Sequence, residues 1–290
     1  MDAQDVLVVT AFDGRYLDLA EDMAASFRRA YQNRYRLAAV VFGGCEPPAA
    51  LASQFDVLVR VPPVAALDSA HGYDLAYLGI KPGLRELFPG YASYCWVDAD
   101  CWFQGAESLP RILAGVPGFA IAIHPEFDVH YLNYPTPSDR TLRIYETNEG
   151  DSLDGMPLRM PMLNAGVFAM KADSPVWSLW EAELRSLRQR YDAGEKVYFS
   201  DQIPLHKVVY QHKLSVYPLR AVDNWQTCAS LPFVHRPSKL LRLPTPPYEP
   251  LGIVHLAGAT IKTKSFAVDG GTTTLRYRDL LRFFGDQAAI

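Results

Sequence analysis

The stretch Tyr94-Cys95-Trp96-Val97-Asp98-Ala99-Asp100-Cys101-Trp102-Phe103 decides the reading of this chain. An apolar, aromatic run of strand character stops at two carboxylates one residue apart. In extended chain alternate side chains share a face, so Asp98 and Asp100 can aim at one point. Two ionised carboxylates held together repel, and burying them without a partner costs several kcal/mol. A hard divalent cation bound through oxygen removes that cost. The plain account is a polar turn after a strand, a common place for Asp. A solvated turn does not need Trp102-Phe103 directly behind it, so the flanks favour a metal site.

Outward from this stretch, apolar runs alternate with helical periods. Val6–Val9 reads as a first buried strand, and residues 15–31 carry Leu17, Ala20, Ala24 and Phe27 at helical spacing. Leu37–Phe42 and Asp56–Val61 read as further strands, the first closed by Gly43-Gly44 and Pro47-Pro48. Residues 73–88 predict a helix that Pro82 starts or kinks. Phe119–Ile123 and Leu163–Met170 are strands, and Val176–Tyr191 is an amphipathic helix with Trp177, Trp180, Leu184 and Leu187 inward. Residues 124–160 have no period and read as an irregular insertion shaping a second substrate's site. Residues 231–250 hold six prolines and predict an ordered extended loop. The expected fold class is α/β, with a mixed, mainly parallel Rossmann-like sheet and helices on both faces, in a single domain of 290 residues. In such sheets ligands bind beyond the carboxyl ends of the strands, where Asp98 and Asp100 fall.

Composition excludes several classes. Apolar and charged fractions of 49% and 21% are those of an ordinary globular protein. A net charge of −4 gives no basic footprint for nucleic acid. No apolar run reaches the ~18 residues that span a bilayer. The acidic N-terminus running into a strand predicts no signal peptide. Cys45, Cys95, Cys101 and Cys228 lack Cys-X-X-Cys spacing and read as reduced thiols of a cytoplasmic protein. The first strand-to-helix turn, Thr10-Ala11-Phe12-Asp13-Gly14-Arg15-Tyr16, has no Gly-X-Gly-X-X-Gly, so a dinucleotide is not indicated.

Later come Asn164-Ala165-Gly166, Asp201-Gln202 and Ile253-Val254-His255-Leu256-Ala257-Gly258. Together these motifs resemble the retaining glycosyltransferases of family 8, the group containing glycogenin and bacterial lipopolysaccharide galactosyltransferases. The resemblance runs from Ala11 to about Lys262 and implies the GT-A fold, with a nucleotide-binding half over about 1–123 and a donor-sugar and acceptor half over about 124–290. It implies that Ala11, Asp13 and Tyr16 hold the uracil of a UDP-sugar and that Lys81 contacts the donor. Asp98, Asp100 and His255 are implied as ligands of Mn²⁺, with Mg²⁺ the alternative, and Ala99 lies between the two carboxylates against the donor. Asn164, Ala165 and Gly166 look like the donor-sugar strand, and Asp201 with Gln202 look like the catalytic pair beside the anomeric carbon. The family continues its histidine motif toward Lys-Pro-Trp, whereas this chain reads Gly258-Ala-Thr-Ile-Lys262-Thr-Lys264, so the phosphate-binding lysine is Lys262 or Lys264.

The implied partners are a nucleotide sugar and a carbohydrate, lipid-linked or protein acceptor, as in polysaccharide or lipopolysaccharide synthesis. Each residue also has a plainer account. His255 would be a hydrogen-bonded core histidine, Lys81 a solvated lysine at a helix start, Asp201 a helix N-terminal residue and Tyr16 a core side chain. His124, Asp128 and His130 read as surface residues. Rival functions are an inverting transferase using Asp128, Asp151 or Asp154 as base, and a non-catalytic sugar-nucleotide or glycan-binding protein. In residues 275–284, Tyr277, Leu280, Leu281 and Phe284 form a stripe with Arg276, Arg278 and Arg282 off it. That helix either packs on the domain or, with Arg236, Lys239 and Arg242, makes a peripheral contact with anionic lipid.

Overall fold

A computed structural model describes residues 2–62, 79–131, 144–148, 160–258, 265–268 and 271–285. Its centre is a seven-stranded sheet in the order β3-β2-β1-β4-β7-β6-β8. The strands are β1 (Val6–Phe12), β2 (Arg36–Val41), β3 (Val57–Arg60), β4 (Ser93–Val97), β6 (Ile121–Pro125), β7 (Leu163–Lys171) and β8 (Val216–Pro218). All neighbours pair parallel except β7, which runs antiparallel to both β4 and β6.

Apolar residues are continuous along the central strands because both faces are covered. On one face Val6, Val8 and Phe12 of β1 pack with Ala20, Met23, Ala24 and Phe27 of helix α1 (Leu17–Tyr31). On the other, Leu7 and Val9 join Trp96, Phe168 and the tryptophans Trp177 and Trp180 of a later helix, Pro175–Asp192. Trp177 and Trp180 are wholly buried, and removing either side chain would cost about 3–5 kcal/mol through lost transfer energy and the cavity left behind. That helix starts on Ser174, whose hydroxyl accepts from the Val176 N–H, with Pro175 in the first helical position.

A second, three-stranded sheet joins β5 (Cys101–Phe103), β12 (Ile253–His255) and β9 (Trp225–Gln226), with β12 in the middle. It is covered by Trp102, Trp225, Val254 and the apolar face of the last helix (Tyr277–Phe283), where Tyr277, Leu280 and Leu281 are buried. Arg276 and Arg278 are bound to the carboxylates of Asp22 and Glu21 on α1. This is the packing account of the C-terminal helix.

Several expectations need correction. The helix over 73–88 is helical only at Leu84–Leu87 among the described residues, and 73–78 lie outside them. Lys81 and Pro82 sit in the turns just before it, as the restricted φ and missing N–H of proline favour. The proline-rich segment folds partly into a hairpin, β10 (Phe233–His235) with β11 (Leu240–Arg242). His124 is buried, not at the surface: its ring contacts the Leu219 carbonyl and the Tyr131 hydroxyl at 3.0 Å each, and burial lowers its pKa. Among the described residues no helix is long and apolar enough to cross a membrane.

Candidate functional site

The Asp98-Ala99-Asp100 turn is the hinge between the two sheets, since β4 ends at Val97 and β5 begins at Cys101. The turn is clamped by backbone bonds. The Asp98 N–H donates to the Gly166 carbonyl at 2.8 Å, Cys101 N–H to the Asp98 carbonyl at 3.0 Å, and Leu256 N–H to the Asp100 carbonyl at 2.9 Å. The antiparallel run of β7 matters here. It sets the beginning of that strand, Asn164-Ala165-Gly166, beside the end of β4. The β5–β12 register puts His255 opposite Cys101, next to the carboxylates.

The side chains converge. His255 Nε2 lies 3.4 Å from Asp100 Oδ1 and 4.0 Å from Asp98 Oδ2. Lys81 Nζ lies 3.1 Å from Asp98 Oδ1 and donates to Asp201 Oδ2 at 2.6 Å and to the Ala165 carbonyl at 3.0 Å. The same ammonium stands 5.0 Å from the centre of the Trp96 ring, and the Trp96 indole N–H donates to Asp98 Oδ1 at 2.6 Å. Lys81 is therefore buried, not solvated. Asp201 caps the helix Gln202–Gln211 by accepting from the Gln202 N–H. The expected helix-start role and a place in the site coexist.

Electrostatics follow from this crowding. Burial raises the pKa of Asp98, Lys81 pulls against that, and the Asp100 carboxylate adds to the rise. Burial opposes charge on His255, but Asp100 and Asp98 outweigh it and hold the imidazole pKa above its ordinary value. Burial likewise opposes charge on Lys81, and Asp201 and Asp98 more than reverse it. Three carboxylates thus face one ammonium and one imidazole, a set short of positive charge.

The donor chemistry fits a divalent cation: two carboxylates and an imidazole nitrogen whose ring partner, Nδ1, is already engaged by Asn224 Oδ1 at 3.0 Å. Ligand atoms of Asp100, Cys101 and His255 also lie within 4.8 Å of one another. Cys101 thus adjoins the expected trio as a buried neighbour. Gly166 makes room for the ring, because a Cβ there would stand 2.3 Å from His255 Cε1.

The remaining expected residues distribute as follows. Asp13 follows β1, its side chain accepting from the Arg15 N–H at 2.8 Å and pairing with the Arg15 guanidinium at 2.7 Å. Tyr16 is half-buried, packed against two apolar clusters, and Ala11 lies in β1. β1 pairs with β4 in parallel, so these residues leave the sheet at the same edge as Asp98. Ala99 is buried, and Gly258 has φ +86, a left-handed backbone that suits glycine. Lys262 and Lys264 lie outside the described residues, as do Asp151 and Asp154. Asp128 accepts from the His130 N–H at 2.9 Å, a local turn bond.

Sequence reasoning missed Glu126 and Asn224. Glu126 Oε1 accepts from Asn164 Nδ2 at 2.8 Å and from Gln202 Nε2 at 2.9 Å. Neither residue sits in a recognisable motif, and only the folded register brings them in.

No family model matches the chain, and no curated protein matches it in sequence. Solved structures do resemble it. A galactosyltransferase, LgtC, in complex with donor and acceptor sugar analogues superposes with a TM-score of 0.55 at 13% identity, over 98% of this chain and 97% of that one. Mouse xyloside xylosyltransferase 1 gives 0.51 at 15% identity, over 88% and 98%. The bifunctional glycosyltransferase WbbM gives 0.55 at 19%, over 89% of this chain but only 46% of its own length. The fold is that of the GT-A glycosyltransferases, in one domain.

Proposed function

We propose that this chain is a metal-dependent glycosyltransferase that moves a sugar from a nucleoside diphosphate sugar, a UDP-hexose, to a carbohydrate, lipid-linked or protein acceptor with retention at the anomeric carbon. The observation that carries the reading is the meeting of Asp98, Asp100 and His255 with Lys81 and Asp201 at the carboxyl edge of a GT-A sheet. Two carboxylates on one buried lysine, with a third beside a buried histidine, are costly to bury and are accounted for by a ligand that they hold.

In this reading Asp98, Asp100 and His255 hold Mn²⁺, which suits one imidazole among oxygens better than Mg²⁺ does. The bound cation would supply Lewis-acid stabilisation of the leaving diphosphate. Lys81 adds its ammonium to the same developing charge, with Lys262 or Lys264 as a second donor. Residues 1–123 bind the nucleotide, Ala11 and Asp13 reading the uracil edge and Tyr16 its face. Residues 124–290 bind the sugar and acceptor, with Asn164, Ala165 and Gly166 along the sugar and Ala99 and Gly258 admitting the diphosphate. Asp201 and Gln202 orient the anomeric carbon for front-side attack, in which the leaving phosphate takes the acceptor proton. The reaction runs in the cytoplasm, where Cys95 and Cys101 stay buried thiols.

A panel of UDP-, GDP- and ADP-sugars, each with and without MnCl₂, tests the reading by thermal shift. A ligand at a hundred times its Kd stabilises by about 2.7 kcal/mol. UDP-sugars should raise Tm only with the metal, and the UDP-sugar that does so should yield a product of the donor's anomeric configuration by NMR. Stabilisation by purine nucleotides alone would remove the uracil assignment, and an inverted product would remove retention.

A further inference from the structure

We infer that Asn224 is the positioning residue of the candidate metal centre, holding His255 in the one tautomer that turns a bare ring nitrogen toward Asp98 and Asp100. The inference rests on the metal reading above, and the chain of bonds behind it is directional at both ends. The Gly166 N–H, which can only donate, donates to Asn164 Oδ1 at 3.0 Å. At the other end of the same amide, Asn164 Nδ2 donates to the Glu126 carboxylate at 2.8 Å. The amide of Asn164 is therefore fixed in orientation, with its oxygen inward.

That oxygen meets the side chain of Asn224 at 2.9 Å, so the group Asn224 presents there is its NH₂. The opposite end of Asn224, its carbonyl oxygen, then faces His255 Nδ1 at 3.0 Å. A carbonyl oxygen only accepts, so the proton of the neutral ring sits on Nδ1. The lone pair on Nε2 is left pointing at Asp100 Oδ1, 3.4 Å away, and Asp98 Oδ2, 4.0 Å away. A lone pair aimed at two carboxylate oxygens is repulsive unless a proton or a cation lies between them. Asn224 is wholly buried, so no water competes for its amide. The relay also reaches the second half of the site, because Glu126 Oε1 accepts from Gln202 Nε2 at 2.9 Å. One hydrogen-bonded line thus runs from Gln202 to His255 through Glu126, Asn164 and Asn224.

Two variants and one spectrum test this. MnCl₂ is titrated into the full-length protein and free Mn²⁺ is followed by its EPR signal. Asn224→Ala should weaken Mn²⁺ binding by about 10–100-fold, the usual effect of removing an outer-shell partner of a ligating histidine. Asn224→Asp keeps an oxygen for Nδ1–H and should retain most of the affinity, while losing thermal stability because two oxygens then face each other at Asn164. A purely structural role predicts that affinity tracks stability across both variants, and that result overturns the inference, as does wild-type affinity in Asn224→Ala. Nitrogen-15 NMR of the metal-free protein supplies an independent readout, with the His255 signals assigned by their loss in His255→Gln. Recorded on the alkaline side of the His255 titration, where the ring is neutral, the spectrum should show the proton on Nδ1, and a neutral ring protonated on Nε2 overturns the inference whatever the metal does. An Nδ1-protonated ring in a wild-type protein that ignores MnCl₂ overturns the metal reading itself, and with it the role of Asn224 at a metal centre.

Discussion

Lys81 and Asp201, 120 residues apart in the chain, meet at 2.6 Å, and the same ammonium holds Asp98 at 3.1 Å. Removing it leaves carboxylates without their counter-charge. Lys81→Met should destabilise the protein by about 3 kcal/mol, the low end for breaking a buried pair, since Asp98 and Asp201 keep 31% and 23% of their side chains open to water. Adding Asp201→Asn should recover part of that loss. Urea unfolding measures both, and an additive double variant would mean the pair is not coupled.

Asp100→Ala should abolish Mn²⁺-dependent UDP binding and leave the fold intact, because Asp100 is the carboxylate nearest to His255 Nε2. His255→Ala should weaken metal binding by tens-fold or more. Calorimetric titration of UDP with and without MnCl₂ decides it, and unchanged affinity in Asp100→Ala would remove the assignment.

Gly166→Ala places a methyl group where His255 Cε1 would be only 2.3 Å away. The ring must shift, and crowding of this kind costs about 1–3 kcal/mol. Stability and Mn²⁺ affinity should fall together in this variant, and a silent substitution would mean that the ring has slack.

The metal-free protein should lose stability as pH rises above about 6.5, the ordinary histidine value. His255 has a raised native pKa, so its contribution is whole below the unfolded value and is lost as pH climbs through the folded one. Asp98, also raised, has the same sign, but its contribution begins to be lost from the ordinary carboxylate range upward. MnCl₂ should flatten the slope by standing in for the protons. Melting curves from pH 5 to 9 with EDTA or MnCl₂ test the sign.

Arg276 and Arg278 are already committed to Asp22 and Glu21. We therefore expect the full-length protein to stay in the supernatant when spun with anionic liposomes at low salt. Pelleting that high salt reverses would restore the lipid contact raised by the basic helix.

Much of the fold was legible because periodicity and burial agree. The stripe Trp177, Trp180, Leu184 and Leu187 and the doubly covered run Val6–Val9 each leave a pattern that only one kind of element satisfies. Asp98 and Asp100 were readable from the residues because a buried strand ends on them, whereas His255, Lys81 and Asp201 were picked out by the order of motifs that the chain shares with the family it resembles. The surroundings were not. Glu126 and Asn224 enter through the antiparallel pairing of β6 with β7 and the pairing of β12 with β9, facts of tertiary pairing that no local window carries. His124 was misjudged because one partner, Leu219, lies 95 residues away, and the other, Tyr131, is nearby in a segment that has no period to show how it folds back.

The middle strand β12 also bears on how the molecule is made. It closes on β5 and β9, and it carries His255 to a turn fixed far earlier in the chain. Contacts between such distant segments form late, after loop entropy has been overcome. During synthesis the Rossmann-like sheet up to β7 can gather its layers while the carboxylates at its edge still lack their imidazole. A nascent chain would therefore carry an acidic turn that has Lys81 but not its imidazole, and would acquire its cation-holding geometry only once residues 253–255 have left the ribosome and docked.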